Sequence, residues 1–227
     1  MCLESNEKIR EFLSQIEFRD DREQKECLKY IELKGLRRHM SIFQYIKDSG
    51  IDIPRYSMVA GYYRYDKRLR YQLFIYISMY EEYLRAKLGN SFDLGHNFPP
   101  KEIKAQRKTI SYADSSTLEQ QDLNELIETS KQYPGMLPEL SEVDANMAAF
   151  RKLRNVISHQ KFLMMEELKE CYVDGVKAKT LYQNIKNVQC ILPPSFQHGF
   201  AESIRKCGFE KAGVEMDIMS KDRIDLQ

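Results

Sequence analysis

Between Tyr65 and Leu88 the apolar residues Leu69, Leu73, Ile77, Tyr80, Leu84 and Leu88 recur at every third or fourth position. That spacing draws one unbroken apolar stripe along a long α-helix, and such a stripe has to be buried against other helices. Gly89-Asn90 reads as the stop of this helix, and Ser91 to Pro100, with a glycine, an asparagine and two prolines, as a loop.

The rest of the chain agrees with a helical reading. Ten glycines and seven prolines are few for 227 residues, and they cluster in a few places. Alternating apolar and polar strand patterns are nearly absent. The spacing predicts helices over about Glu7 to Phe18, Asp21 to Leu33 and Arg38 to Lys47, with a turn from Ser49 to Pro54. A weaker helix is expected over Thr117 to Lys131, followed by the break Tyr133-Pro134-Gly135-Met136-Leu137-Pro138. Ser141 with Asp144 approximates a capping box for the next helix, expected to run to about Glu170 with Phe150, Leu153, Ile157, Leu163 and Leu168 on its buried side. Two more helices, about Lys177 to Gln189 and Ser195 to Lys206, flank Pro193-Pro194, and the residues from Gly208 are expected to fray. The expected fold is an all-α bundle.

Composition bounds the function. A hydrophobic share of 42% is enough for a sizeable core, and a net charge of +1 excludes a general basic coat, so any nucleic-acid contact must come from a local patch. Cys2, Cys27, Cys171, Cys190 and Cys207 are odd in number and scattered, which fits neither a disulfide framework nor a zinc site and favours a reduced, cytoplasmic setting. The start, MCLESNEKIREF, lacks the apolar stretch of a signal peptide, and no apolar run is long enough to span a membrane. There is no phosphate-binding glycine loop, no paired-carboxylate motif and no cysteine nucleophile signature, so no cofactor or metal is expected.

One short segment carries chemistry. Arg154-Asn155-Val156-Ile157-Ser158-His159 sets a permanent cation, an amide and a base titrating near neutral pH within one and a half helical turns. Asn155 and His159, four apart, lie one above the other, while Arg154 sits roughly 140° around the axis. Metal-independent cleavage of RNA needs such groups: a base to take the ribose 2′-OH proton, a cation to steady the phosphorane, and an acid for the leaving 5′-oxygen. One histidine cannot conveniently serve as both base and acid, so a second copy of the helix across a shared groove is expected. On spacing alone, a surface or packing histidine is as good a reading.

The segment Arg151 to Phe162, RKLRNVISHQKF, resembles the signature of HEPN proteins (higher eukaryotes and prokaryotes nucleotide-binding), an arginine, a polar residue and a histidine on a late helix. The helix opening Tyr65-Asp66-Lys67-Arg68-Leu69-Arg70 and closing Tyr80-Glu81-Glu82-Tyr83-Leu84-Arg85 is similar to that of the Abi-like (abortive infection) branch, and Leu33-Lys34-Gly35-Leu36 matches more loosely. The resemblance implies a single helical domain over 1–227, with a HEPN-like core at 60–170 and helical extensions at 1–59 and 171–227. It implies a metal-independent endoribonuclease working as a homodimer in antiphage defence or a toxin–antitoxin pair, with RNA as substrate and an antitoxin RNA or protein as a further partner. Arg154 would hold the scissile phosphate, Asn155 orient the site, and His159 act as base or acid. Glu81 or Glu82 would orient His159 or pair with Arg154, unless Glu81 only pairs with Arg85 on the exposed face. The alternative function is a non-catalytic module binding RNA, a nucleotide or a partner protein.

Two other features have plainer readings. Tyr62, Tyr63, Tyr65, Tyr71 and Tyr76, interleaved with Arg64, Arg68 and Arg70, suit base stacking but more often core packing. Lys101, Lys104, Arg107 and Lys108 suit an RNA backbone or a solvated helix face. His39, His96 and His198 lack the company that His159 has.

Overall fold

The computed structural model describes residues 3–93, 103–105, 108–110, 118–119, 121–208 and 217–226. These residues form eight α-helices and two small antiparallel hairpins, so the fold is all-α. The helices are α1 (Leu3–Ser14), α2 (Asp21–Lys34), α3 (Leu36–Asp48), α4 (Tyr56–Asp93), α5 (Leu123–Ser130), α6 (Val143–Ser158), α7 (Leu181–Ile191) and α8 (Pro194–Cys207). Strands β1 (Ile103–Ala105) and β2 (Lys108–Ile110) pair with each other, as do β3 (Cys171–Val173) and β4 (Val176–Ala178).

Helix α4 is the axis of the molecule. Its stripe residues Leu69, Leu73, Ile77, Tyr80, Leu84 and Leu88 are all 0 or 1% exposed, and α3, α5, α6 and α8 pack around it. It is longer at both ends than the expected Tyr65 to Leu88. Gly89-Asn90 does not stop it, because tertiary contacts hold the last turns: Leu88 and Gly89 are buried and Lys87 donates to Gly135 O at 2.6 Å. At the other end Gly61 lets the backbone of Asp217 approach, where a Cβ would meet Asp217 O at 2.8 Å.

That approach belongs to a C-terminal strap, residues 217–226. The Tyr62 hydroxyl donates to Asp222 and accepts from Met219 N. Tyr45 also donates to Asp222, and Ile224 N donates to the Tyr65 hydroxyl at 2.8 Å. The expected fraying after Gly208 is therefore wrong for these residues; Ile224 and Leu226 are buried. The apolar cluster of the core draws on residues from Ile9 to Leu226.

The hairpin β3–β4 is a second departure, lying where a helix was expected to finish and another to begin. Its turn, Asp174-Gly175, has φ of 52° and 76°, the left-handed pair that a two-residue hairpin with the right twist demands. The fully buried Asn146 on α6 holds this hairpin. Its side chain donates to Tyr172 O at 3.0 Å and accepts from Tyr172 N at 2.7 Å. Other boundaries shift modestly: α5 is shorter than Thr117 to Lys131, α6 is capped at Glu142 rather than Ser141, and Asp144 pairs with Lys131 at 2.7 Å instead of closing a capping box. Most of the expected loop Ser91 to Pro100 lies outside the described residues.

Candidate functional site

Helix α6 ends at Ser158, not near Glu170, and this decides where His159 sits. His159 is the C-cap; Gln160 follows with φ of 52°. Gln160 N donates to Ile157 O at 2.9 Å and Lys161 N to Val156 O at 3.1 Å. These two bonds make a Schellman ending, with a glutamine at the left-handed position that glycine usually takes. The candidate motif therefore occupies the last turn of its helix, and the chain leaves it abruptly.

Two side chains from elsewhere fix the exit. The half-buried Arg38 guanidinium of α3 donates to Gln160 O. Asp66 of α4, 1% exposed, accepts from Leu163 N at 2.9 Å and pairs with Arg70 at 2.8 Å. Burial pushes the Asp66 carboxyl above its ordinary value, opposed by the Arg70 guanidinium and the Leu163 N–H. The carboxylate is costly in that place, and what it secures is the path of residues 160–163 beside His159.

His159 itself is exposed and borders a cleft of about 660 Å³ between the α2–α3 junction and the end of α6. Lys34, Arg37, Arg38 and Lys161 line this cleft, against one carboxylate, Glu166, which is 3.0 Å from Lys161. Lys34 and Arg37 make no salt bridge among the described residues. Four cations around one exposed imidazole suit a phosphodiester backbone. Arg37, Arg38 and Lys161 were missed by sequence reasoning; the only local signal was the loose match at Leu33 to Leu36, which runs into them.

Arg154 and Asn155 are placed differently. Arg154, with its side chain 38% exposed, donates through Nε to Glu81 Oε1 at 3.2 Å. Arg154 and Asn155 border a smaller cleft at the start of α5, with Asp122, Asn124 and Arg151. Within one chain His159 lines the cationic cleft and Arg154 the smaller one, and among the described residues no hydrogen bond joins the two. Glu81 is the acid that reaches Arg154. Glu82 is exposed, and Arg85 turns away from Glu81 to the carbonyls of Leu118 and Gln121.

The remaining candidates divide. Tyr62 and Tyr65 are core residues, Tyr76 bonds Ser203 at 3.3 Å, and Tyr71 is 63% exposed. His39 is buried, with Nδ1 donating to Gly35 O at 3.0 Å, and burial lowers its pKa from the ordinary histidine value. His198 is exposed. His96 and the side chains of Lys101, Lys104, Arg107 and Lys108 lie outside what is described, although Lys104 and Lys108 belong to strands rather than a helix. Among the described residues no three histidine, cysteine or acidic side chains gather to hold a metal ion, and no helix is long and apolar enough to cross a membrane.

No family model matches the chain, and no curated protein or solved structure is significantly similar to it.

Proposed function

We propose that the chain is a metal-independent endoribonuclease of HEPN type, in which two copies bring two His159 side chains to one groove. The observation that carries the proposal is the setting of His159: exposed, at a helix end pinned by Arg38 and Asp66, in a cleft with four cationic side chains. Lys34, Arg37 and Lys161 hold the RNA backbone. One imidazole takes the 2′-OH proton, the 2′-oxygen attacks the adjacent phosphorus, and the 5′-oxygen leaves with a proton from the second imidazole. The products are a 2′,3′-cyclic phosphate and a 5′-hydroxyl. Arg154, held by Glu81, steadies charge at the phosphate from the partner's side of the groove, and Asn155, exposed beside it, orients the strand.

The resemblance of its sequence to Abi-like proteins supports, as part of the same proposal, a role in antiphage defence or a toxin–antitoxin pair, restrained by an antitoxin RNA or protein. A binding-only module is the second reading. It is favoured by one observation, the separation of Arg154 from His159 within the chain. Incubation of wild type, His159→Ala and Arg154→Ala with structured RNA in EDTA separates the two. Cleavage by wild type with loss in both variants is expected; equal cleavage by all three, or retention without cleavage, overturns the proposal.

A further inference from the structure

A second pocket, of about 280 Å³, lies between α2, α3 and α4. Its walls are aromatic: Tyr30, Tyr56, Tyr63 and His39. The rings of His39 and Tyr63 are nearly parallel, 10° apart with centroids at 6.4 Å. Lys34, Arg64 and Lys67 supply three cations, and among the described residues no carboxylate lines it. Arg64 Nε is buried with no hydrogen-bond partner, a state that native proteins seldom tolerate without a ligand or solvent to complete it. His39 donates through Nδ1 to Gly35 O, which leaves Nε2 of the neutral ring as an acceptor. Tyr56 is 3% exposed, and burial holds its hydroxyl protonated as a donor.

Flat aromatic walls take a planar ring, and three cations without a carboxylate take a phosphate; the volume sits near the lower end of ligand pockets. We propose that this pocket binds a single nucleotide, its base against the tyrosine walls and its phosphate on Lys34, Arg64 and Lys67. The site does not depend on the ribonuclease reading, since occupancy requires no cleavage. Lys34 also borders the His159 cleft. The nucleotide is thus either free or one unit of a strand entering from that cleft.

Equilibrium dialysis of the full chain with labelled adenosine 5′-monophosphate, and separately with a single-stranded adenylate hexamer, tests this. Saturable binding is expected, weakened at least tenfold by Arg64→Gln and by Tyr30→Ser. Tyr30 is 39% exposed, so its variant keeps the fold if Arg64→Gln does not. Equal affinity for both probes identifies a free nucleotide. A hexamer at least tenfold tighter, losing that advantage in Lys161→Gln, identifies a strand. No binding of either probe, inorganic phosphate competing as well as the nucleotide, or unchanged affinity in both pocket variants overturns the proposal.

Discussion

Replacing Asp66 tests the claim that the exit from α6 is held from α4. The carboxylate is 1% exposed, and the Arg70 side chain 12%, so solvent screens the pair little. Asp66→Ala leaves Arg70 as an unpaired buried cation, a loss of about 3–5 kcal/mol for removing one partner of such a pair. It also orphans the Leu163 N–H, whose 2.9 Å bond is lost; that loss alone is about 1–3 kcal/mol, and the two overlap rather than add. We expect Asp66→Ala to lower unfolding free energy by about 3–5 kcal/mol in urea titrations. The double variant Asp66→Leu, Arg70→Met, which removes both charges, should cost less than the sum of the two single changes. The Leu163 amide should exchange with solvent much faster in Asp66→Ala than the amides of Leu69 or Leu73 do. A loss below about 1 kcal/mol, strict additivity in the double variant, or an unchanged Leu163 amide would refute the clamp.

Gly61→Ala should destabilise the chain by about 1–3 kcal/mol, since the added methyl meets backbone atoms of Asp217 and the strap must shift. Limited proteolysis should then cut after Met219 faster than in wild type; a stabilised protein with an intact strap contradicts the close approach. His39 has its pKa lowered by burial, so the unfolded chain binds a proton that the folded chain refuses. Stability should therefore be lost as pH falls from about 6.5 toward the folded value, and urea midpoints of His39→Gln should show a flatter pH dependence; parallel profiles count against the assignment.

How much of this was legible in the sequence depends on range. The α4 stripe is a local period, and all six of its residues are buried as the spacing requires. Glu81 lies four after Ile77 and three before Leu84, so it flanks the stripe and reaches α6, while Glu82 lies about 100° further round and is exposed. The end of α6 was not legible as read, because Gln160 takes a conformation that glycine normally announces. The Asp174-Gly175 hairpin carried a recognisable turn signal that the helical reading passed over. The cationic cleft had no local signal beyond the loose match at Leu33 to Leu36, which supplies Lys34 and Gly35 to its lining. Lys34, Arg37 and Arg38 meet Lys161 only through the packing of α3 against α4 and the clamp at Asp66.

The central claim is that two chains share one site, each supplying a His159. Its direct test is RNA cleavage at a fixed amount of wild type with rising His159→Ala, after the subunits have exchanged. Random pairing predicts that an equal amount of variant leaves about half the rate and a ninefold excess about a tenth, with 2′,3′-cyclic phosphate ends throughout. A rate that stays constant as variant is added would show that each chain acts alone and would contradict the account.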